Sequence, residues 1–243
     1  KDLMKTVQKF LLINPLPSLA TINIKHFVEH KSVCIINFLK KMPKKIIINE
    51  NGGPEVLKYI DYTLTNEQPK SNEIRIKHSS IGINFIDTYH RSGLYAVELP
   101  TGLGLEAVGE VVGVGNDVNT FVVGDRVGYS APPLGAYCEI RDYPAEKAFK
   151  IPDEIDDDAA ASVLLKGMTV EYLFNRTYKI KNKEKILFHA AAGGVGLIAC
   201  QWAKAVGCCL IGTVGSDEKI SLAKENGCEH VINYKTENVF ERV

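Results

Sequence analysis

Lys185-Ile-Leu-Phe-His-Ala-Ala-Ala-Gly-Gly-Val-Gly196 is the stretch that decides the fold of this chain. An apolar run, Lys185–Phe188, leads into it, and an apolar segment with helical period, Leu197 to Val206, leads out. The order is strand, glycine turn, helix. Small residues in such a turn let the backbone come close to a pyrophosphate. The helix that follows presents N–H groups with no intrahelical acceptor to the anion. Gly193, Gly194, Val195 and Gly196 are therefore the candidate contacts to a dinucleotide.

The same alternation continues downstream. A strand over 208–214, a helix over 217–226 and a strand over 230–234 are predicted, with Gly207 and Gly227 at the two helix C-termini. Strands that alternate with helices in this way form a parallel sheet with right-handed crossovers, which makes this part α/β and doubly wound. The chain ends at Val243 after three such strands. In the sheet order 3-2-1-4-5-6 these are strands 1, 2 and 3, so strand 1 is expected to show a bare apolar edge.

The end of the second strand carries a further signal. A chain selective for NAD places Asp or Glu about 20 residues beyond the first glycines, to bond the ribose 2′-hydroxyl. Here the strand Cys209–Val214 runs into Gly215-Ser216 with no carboxylate at its tip, and Lys219 follows within a turn. A 2′-phosphate would be repelled by an acid and attracted by this lysine, which favours NADP. Ser216 also reads as a helix cap, and both roles are compatible.

Upstream the pattern is different. Met42-Pro43-Lys44-Lys45-Ile46-Ile47-Ile48 reads as a first strand, followed by a turn at Asn51–Pro54 and a second strand up to Leu57. Ile74–His78 alternates as a half-buried strand. Ala107–Gly115 and Phe121–Tyr129 read as short strands between glycine turns. Many short strands of this kind make a small barrel. Asp156-Asp157-Asp158 marks a helix start, where the dipole favours acids, and the helix is predicted over Ala159–Tyr172.

With 243 residues, 45% of them hydrophobic, the chain can bury a sizeable core. Its zero formal net charge gives no global field toward nucleic acid or membrane. No apolar stretch reaches the roughly 20 residues of a membrane helix. The six cysteines, Cys34, Cys138, Cys200, Cys208, Cys209 and Cys228, form no C-x-x-C pair and have no histidine at zinc-finger spacing. Reduced thiols in a cytoplasmic protein are expected. Residues 1–42 carry seven lysines against two acids, with no arginine, and read as an appended segment. The organisation expected is an extension over 1–42, a barrel-type domain over 43–166 and a partial NADP-binding domain over 167–243.

Several separated stretches now bear on one family: Gly52-Gly-Pro-Glu-Val-Leu57, Gly82-Ile-Asn-Phe-Ile-Asp-Thr-Tyr89, Arg91-Ser-Gly-Leu-Tyr95, Gly124-Asp-Arg-Val127, Leu165-Lys-Gly-Met-Thr169, His189–Gly196 and Val231-Ile-Asn-Tyr234. From about Pro43 to Val243 the chain resembles the zinc-free medium-chain dehydrogenase/reductases of the quinone oxidoreductase (zeta-crystallin-like) branch. The fingerprint departs from the general pattern at Ala191, which holds the first glycine position. The resemblance implies a GroES-like, barrel-type catalytic domain followed by a Rossmann domain, here incomplete. It also implies NADPH-dependent reduction of a quinone, and a homodimer for the full-length family. By resemblance, Asn84, Phe85, Asp87, Thr88 and Tyr89 line the nicotinamide side and the substrate cleft. Thr169 and Tyr172 reach the cofactor, Gly194 and Val195 belong to the pyrophosphate turn, and Gly215, Ser216, Lys219 and Tyr234 belong to the 2′-phosphate and adenosine end.

No metal is expected. Zinc-dependent relatives use Cys where this chain has Asn84, Gly-His-Glu where it has Gly104-Leu105-Glu106, and a second Cys near Lys166. Asn, Leu and Lys do not make a tetrahedral zinc site. Hydride would pass from the nicotinamide to a flat acceptor held by Asn84, Tyr89 and Tyr95, with tyrosine hydroxyls donating to the developing oxyanion. His189 reads as structural, with no carboxylate partner in view. Two rivals stand beside this expectation. One is a reductase of enone or enoyl double bonds on the same fold. The other is a non-functional truncated remnant that holds only the 2′-phosphate and adenosine end of NADPH.

Overall fold

The structure, a computed structural model, describes residues 42–243. The appended segment expected over the N-terminal residues, and Cys34 within it, lie outside the described residues. Strand β1 (Lys44–Ile48) is followed by a 3-10 turn at Pro54–Val56, then β2 (Lys58–Asp61) and β3 (Glu73–Gly82). Helix α1 (Phe85–Ser92) leads to β4 (Thr101–Gly102), β5 (Glu106–Val114), β6 (Arg126–Tyr129), β7 (Ile140–Pro144), a 3-10 turn at Ala145–Lys147 and β8 (Phe149–Lys150). Helix α2 (Asp157–Glu171) ends in a π-turn at Tyr172–Thr177. Then β9 (Lys185–Phe188), α3 (Gly194–Val206), β10 (Cys209–Val214), α4 (Glu218–Glu225), β11 (His230–Asn233) and α5 (Val239–Arg242) complete the order.

Two antiparallel sheets come first, of order β2-β1-β4 and β7-β3-β5-β6-β8. In β3 the alternation read from Ile74 is real: Ile74 and Ile76 are buried, with Arg75 and Lys77 on the other face. They share a core with Ala107, Val111, Val127, Tyr129 and Tyr143, in which the Tyr129 and Tyr143 rings stack at 3.9 Å. Two strand expectations are corrected. The strand expected up to Leu57 begins only at Lys58, because Pro54 starts a turn there and Glu55 accepts a hydrogen bond from Gly53 N at 2.7 Å. The strand expected from Phe121 begins at Arg126. Before it, the Asp125 carboxylate accepts from Val122 N at 2.8 Å and folds the chain into a turn.

The third sheet is parallel, of order β11-β10-β9, as the alternation predicted. Its core joins Val170 and Phe174 to Ala199, Ala203, Leu210 and Ala223. Strand β9 is its edge, with Leu187 42% exposed. Beside it lies an open apolar hollow of about 410 Å³ lined by Leu173, Phe174, Tyr178, Ile186, Leu187 and Phe188.

Helix α2 spans the division expected at 166/167 and packs on both parts, against β3 and β5 and against α3. Its N-cap Asp156 accepts from Ala159 N at 2.8 Å, which satisfies one of the free donors of the first turn. Asp157 takes Ser79 Oγ and pairs with Arg126 at 2.7 Å, and Asp158 takes Ser80 Oγ. The close approach of α2 depends on Gly82. A Cβ there would lie 2.0 Å from Glu106 Oε1 and 2.2 Å from the Ala161 carbonyl.

Candidate cofactor and substrate site

The glycine turn sits at the C-terminal end of β9, and α3 starts one residue after its N-cap, Gly193. No side chain caps α3. Among the described residues, the N–H groups of Gly194, Val195 and Gly196 find no acceptor, while Leu197 N already bonds to Gly193 O at 2.9 Å. Three free donors converge at the positive end of a 13-residue helix, a ready anion site. Gly196 is needed for a packing reason: a Cβ there would lie 2.3 Å from the Ala190 carbonyl. Ala191, at the position where a first glycine was expected, is fully buried in the core under the turn. His189 is tied to Thr213 Oγ1 at 3.0 Å, with no carboxylate in contact, in keeping with a structural role.

The neighbouring loop after β10 carries the 2′-end candidates. Lys219 is exposed, and no ion pair engages it among the described residues. Ser216 does not cap α4. The N-cap is Asp217, without a side-chain cap, and the Ser216 hydroxyl has no protein partner among the described residues. Two exposed acids stand between Ser216 and Lys219: Asp217, which accepts from Asn233 Nδ2 at 2.7 Å, and Glu218, the first residue of α4. Tyr234 is 54% exposed, and its hydroxyl lies 2.6 Å from where a Cβ on Gly215 would stand. Ser216, and Lys219 in the first turn of α4, thus lie close in sequence, with Gly215 and the Tyr234 ring beside them, and the Asp217 carboxylate is engaged by Asn233. On donor chemistry the residues fit a phosphorylated dinucleotide.

Helix α1 builds the other wall. Phe85, Tyr89 and Tyr95 form an aromatic file, with ring centroids 5.4 Å apart for Phe85–Tyr89 and 5.3 Å for Tyr89–Tyr95. Phe85 is 74% and Tyr95 48% exposed. Neither tyrosine hydroxyl has a protein hydrogen-bond partner among the described residues, so both are available to a ligand. Thr88 Oγ1 bonds to Phe85 O at 2.7 Å and Thr169 Oγ1 to Leu165 O at 2.8 Å, so both hydroxyls are engaged within their own helices. Tyr172 is exposed and opens the π-turn. Asp87 is buried instead of facing a cleft. It accepts from Asn84 N at 2.9 Å and from the Tyr137 hydroxyl at 2.6 Å, fixing the start of α1. Burial raises the Asp87 carboxyl above its ordinary range, against the pull of those two donors.

Behind Asn84 lies a network that spacing alone did not reveal. Glu106 is fully buried. It accepts from Asn84 Nδ2 at 3.0 Å, from Leu165 N at 2.5 Å and from Lys166 Nζ at 3.4 Å. Lys166 Nζ also donates to the carbonyls of Ile83 at 3.1 Å and Ser162 at 3.2 Å. The positions compared with zinc ligands are thus joined around an ammonium group. Its charge compensates the buried Glu106 carboxylate, and its three donors are all used. The Lys166 stem also passes Gly194, with Cδ and Cε 3.0 Å from where a Cβ would stand. One side chain therefore touches the start of α1, the buried acid and the glycine turn.

Comparison with known proteins agrees with this geometry. The family profile described as "Alcohol dehydrogenase GroES-like domain" matches residues 70–174, and that described as "Zinc-binding dehydrogenase" matches residues 194–243. A quinone oxidoreductase of Pseudomonas aeruginosa is 54% identical over 203 residues, 83% of this chain and 62% of that protein. The structure of Escherichia coli quinone oxidoreductase complexed with NADPH is 51% identical, with a TM-score of 0.79 over 82% of this chain and 61% of that one. A 2-haloacrylate reductase from Burkholderia is 42% identical over 81% of this chain and 60% of its own length. No described helix is long and apolar enough to cross a membrane. The chain spans about 62% of the curated quinone oxidoreductases it matches, and it belongs to the quinone oxidoreductase family of the medium-chain dehydrogenase/reductases.

Proposed function

We propose that this chain is the NADPH-binding and substrate-facing part of an NADPH-dependent quinone reductase. The observation that carries the reading is the set of three unpartnered N–H groups at the start of α3, next to a turn that offers Ser216 and Lys219 and engages the Asp217 carboxylate with Asn233. Gly194, Val195 and Gly196 would bind the pyrophosphate. Ser216 and Lys219 would bind the 2′-phosphate, with Gly215 and Tyr234 at the adenosine. Bound NADPH supplies a hydride. The protein supplies position and polarity. The aromatic file Phe85–Tyr89–Tyr95 gives a flat acceptor a surface to lie on. The free hydroxyls of Tyr89 and Tyr95 would donate to the oxygen on which charge develops. Asn84 is buried, its amide donating to Glu106, and would act from behind that wall by fixing the start of α1. Thr169 and Tyr172, on the last turn of α2 and the π-turn, would close the cofactor side, with Thr88 and Asp87 supporting α1.

The substrate in this reading is a small quinone, with no nucleic acid or membrane partner. The setting is cytoplasmic, in line with five free cysteines among the described residues, and the family resemblance favours a homodimer. A double-bond reductase is the second reading, favoured by the 42% identity to the 2-haloacrylate reductase. Calorimetric titration of the purified chain with NADPH and NADH tests the cofactor half. NADPH should bind more tightly. Lys219→Ala should weaken NADPH about 10- to 100-fold, the worth of one charge-assisted hydrogen bond, and leave NADH unchanged. Equal binding of the two cofactors, or no effect of Lys219→Ala, refutes it. Turnover of a quinone against an α,β-unsaturated acid, with NADPH consumption as the readout, separates the two substrate readings.

A further inference from the structure

The end of the parallel sheet away from the glycine turn holds an uncommitted set of metal-ligating side chains. Cys209 opens β10, and Glu229 and His230 lie at the start of β11. The Cys209 thiol sulfur, a Glu229 carboxylate oxygen and a His230 ring nitrogen all lie within 4.8 Å of one another, and His230 Nε2 is 3.8 Å from Glu229 Oε1. A tetrahedral zinc ion, with bonds of about 2.0–2.3 Å, sets its ligand atoms about 3.3–3.6 Å apart. Side chains exposed to the extent of Glu229 (61%) and His230 (60%) can close that difference by small rotations.

The backbone beneath them is already fixed. Strands β10 and β11 pair in register at Ile211–His230, and Glu229 N donates to Leu210 O at 3.0 Å. The three cysteines here are also distinguishable. The Cys208 thiol is buried and bonds to the Glu184 carbonyl at 3.1 Å, and the Cys228 thiol is buried on the His230 carbonyl at 3.1 Å. Cys209 alone is half-buried and faces Glu229. It borders an open hollow of about 450 Å³ that also reaches Lys183 and Lys204.

We propose that Cys209, Glu229 and His230 form a three-ligand site for a soft to borderline divalent cation of the zinc type, separate from the cofactor end of the sheet. The donor set decides the class of ion. Thiolate with imidazole and one carboxylate selects zinc or cobalt over magnesium or calcium, which take oxygen ligands. Two anionic ligands and one neutral ligand neutralise the 2+ charge. Solvent access at Glu229 and His230 leaves the fourth position to water. Burial and the Glu229 carboxylate hold the Cys209 thiol above its ordinary range, so the cation must displace one proton as it binds.

Zinc chloride titrated into the reduced, purified chain by calorimetry tests the site, with cobalt(II) chloride as a spectroscopic probe. One equivalent should bind, and cobalt should give a thiolate charge-transfer band. Cys209→Ser should abolish the band. His230→Ala, at a side chain 60% exposed, should weaken zinc about tenfold or more. Cys208→Ser and Cys228→Ser should keep the band. The proposal is overturned if the folded chain binds no zinc, if binding survives both Cys209→Ser and His230→Ala, or if the band follows Cys208 or Cys228.

Discussion

Replacing Lys166 by Met tests whether the buried network holds the site together. Glu106 is fully enclosed and Lys166 has 19% of its side chain exposed, with 3.4 Å between nitrogen and oxygen. At that distance, with an effective dielectric constant of about 20, the Coulomb attraction is about 5 kcal/mol. The methionine keeps the packing along Gly194 but removes the charge. Glu106 then retains only Asn84 Nδ2 and Leu165 N as donors. An acid left buried without its cation costs about 3–5 kcal/mol, a large share of the 5–15 kcal/mol that holds a typical domain. Urea denaturation followed by circular dichroism should show that loss. Glu106→Gln in the same background should restore part of it, since it removes the stranded charge. The coupling between the two changes should be about 2–3 kcal/mol. A Lys166→Met chain within about 1 kcal/mol of the parent, or additive effects in the double variant, would refute the assignment.

Further outcomes follow from the same geometry. Gly196→Ala drives a Cβ to 2.3 Å from the Ala190 carbonyl; it should cost about 1–3 kcal/mol in denaturation and abolish NADPH binding by calorimetry. Tyr89→Phe and Tyr95→Phe remove hydroxyls that no protein group uses, so the fold should be unchanged by melting. In an active form, quinone reduction should fall about tenfold or more for at least one of them, and two silent variants would rule out the donor role. His78 is held by Cys138 O at 2.7 Å and the Tyr129 hydroxyl at 3.0 Å, and burial lowers its pKa to about 4 from 6.5. The fold therefore favours neutral His78. Its contribution is fully present above pH 6.5 and is lost as pH falls toward 4, by up to about 3 kcal/mol. The parent should lose that much more stability than His78→Gln between pH 7 and pH 4, measured by urea denaturation at each pH.

What could be read in the sequence, and what could not, divides by the range of the interactions. The parallel sheet was legible because each of its signals is local: an apolar strand, a glycine turn, an apolar-periodic helix, then a helix-ending Gly207 or Gly227. The barrel-side strands were less so. Phe121–Asp125 is apolar enough for a strand, and only the Asp125 side chain folding back on Val122 N makes it a turn. The role of Asp87 was hidden for a different reason. It lies in the motif that lines the cleft, but its partner Tyr137 is 50 residues away in sequence and draws it inward. Glu106, Asn84 and Lys166 are likewise 22 and 60 residues from one another's contacts. The residue types, Asn84, Leu105 and Lys166 where zinc-dependent relatives carry Cys, His and Cys, argued against a zinc site. They could not show that the carboxylate left over would need a cation, or that a lysine on α2 would bring one. That need follows from burial: a carboxylate cut off from water is either paired with a cation, as Glu106 is, or held by neutral donors with its pKa raised, as Asp87 is. The same side chain that meets it passes Gly194. In this fold the neutralisation of one buried acid and the position of the anion-binding turn therefore depend on one residue.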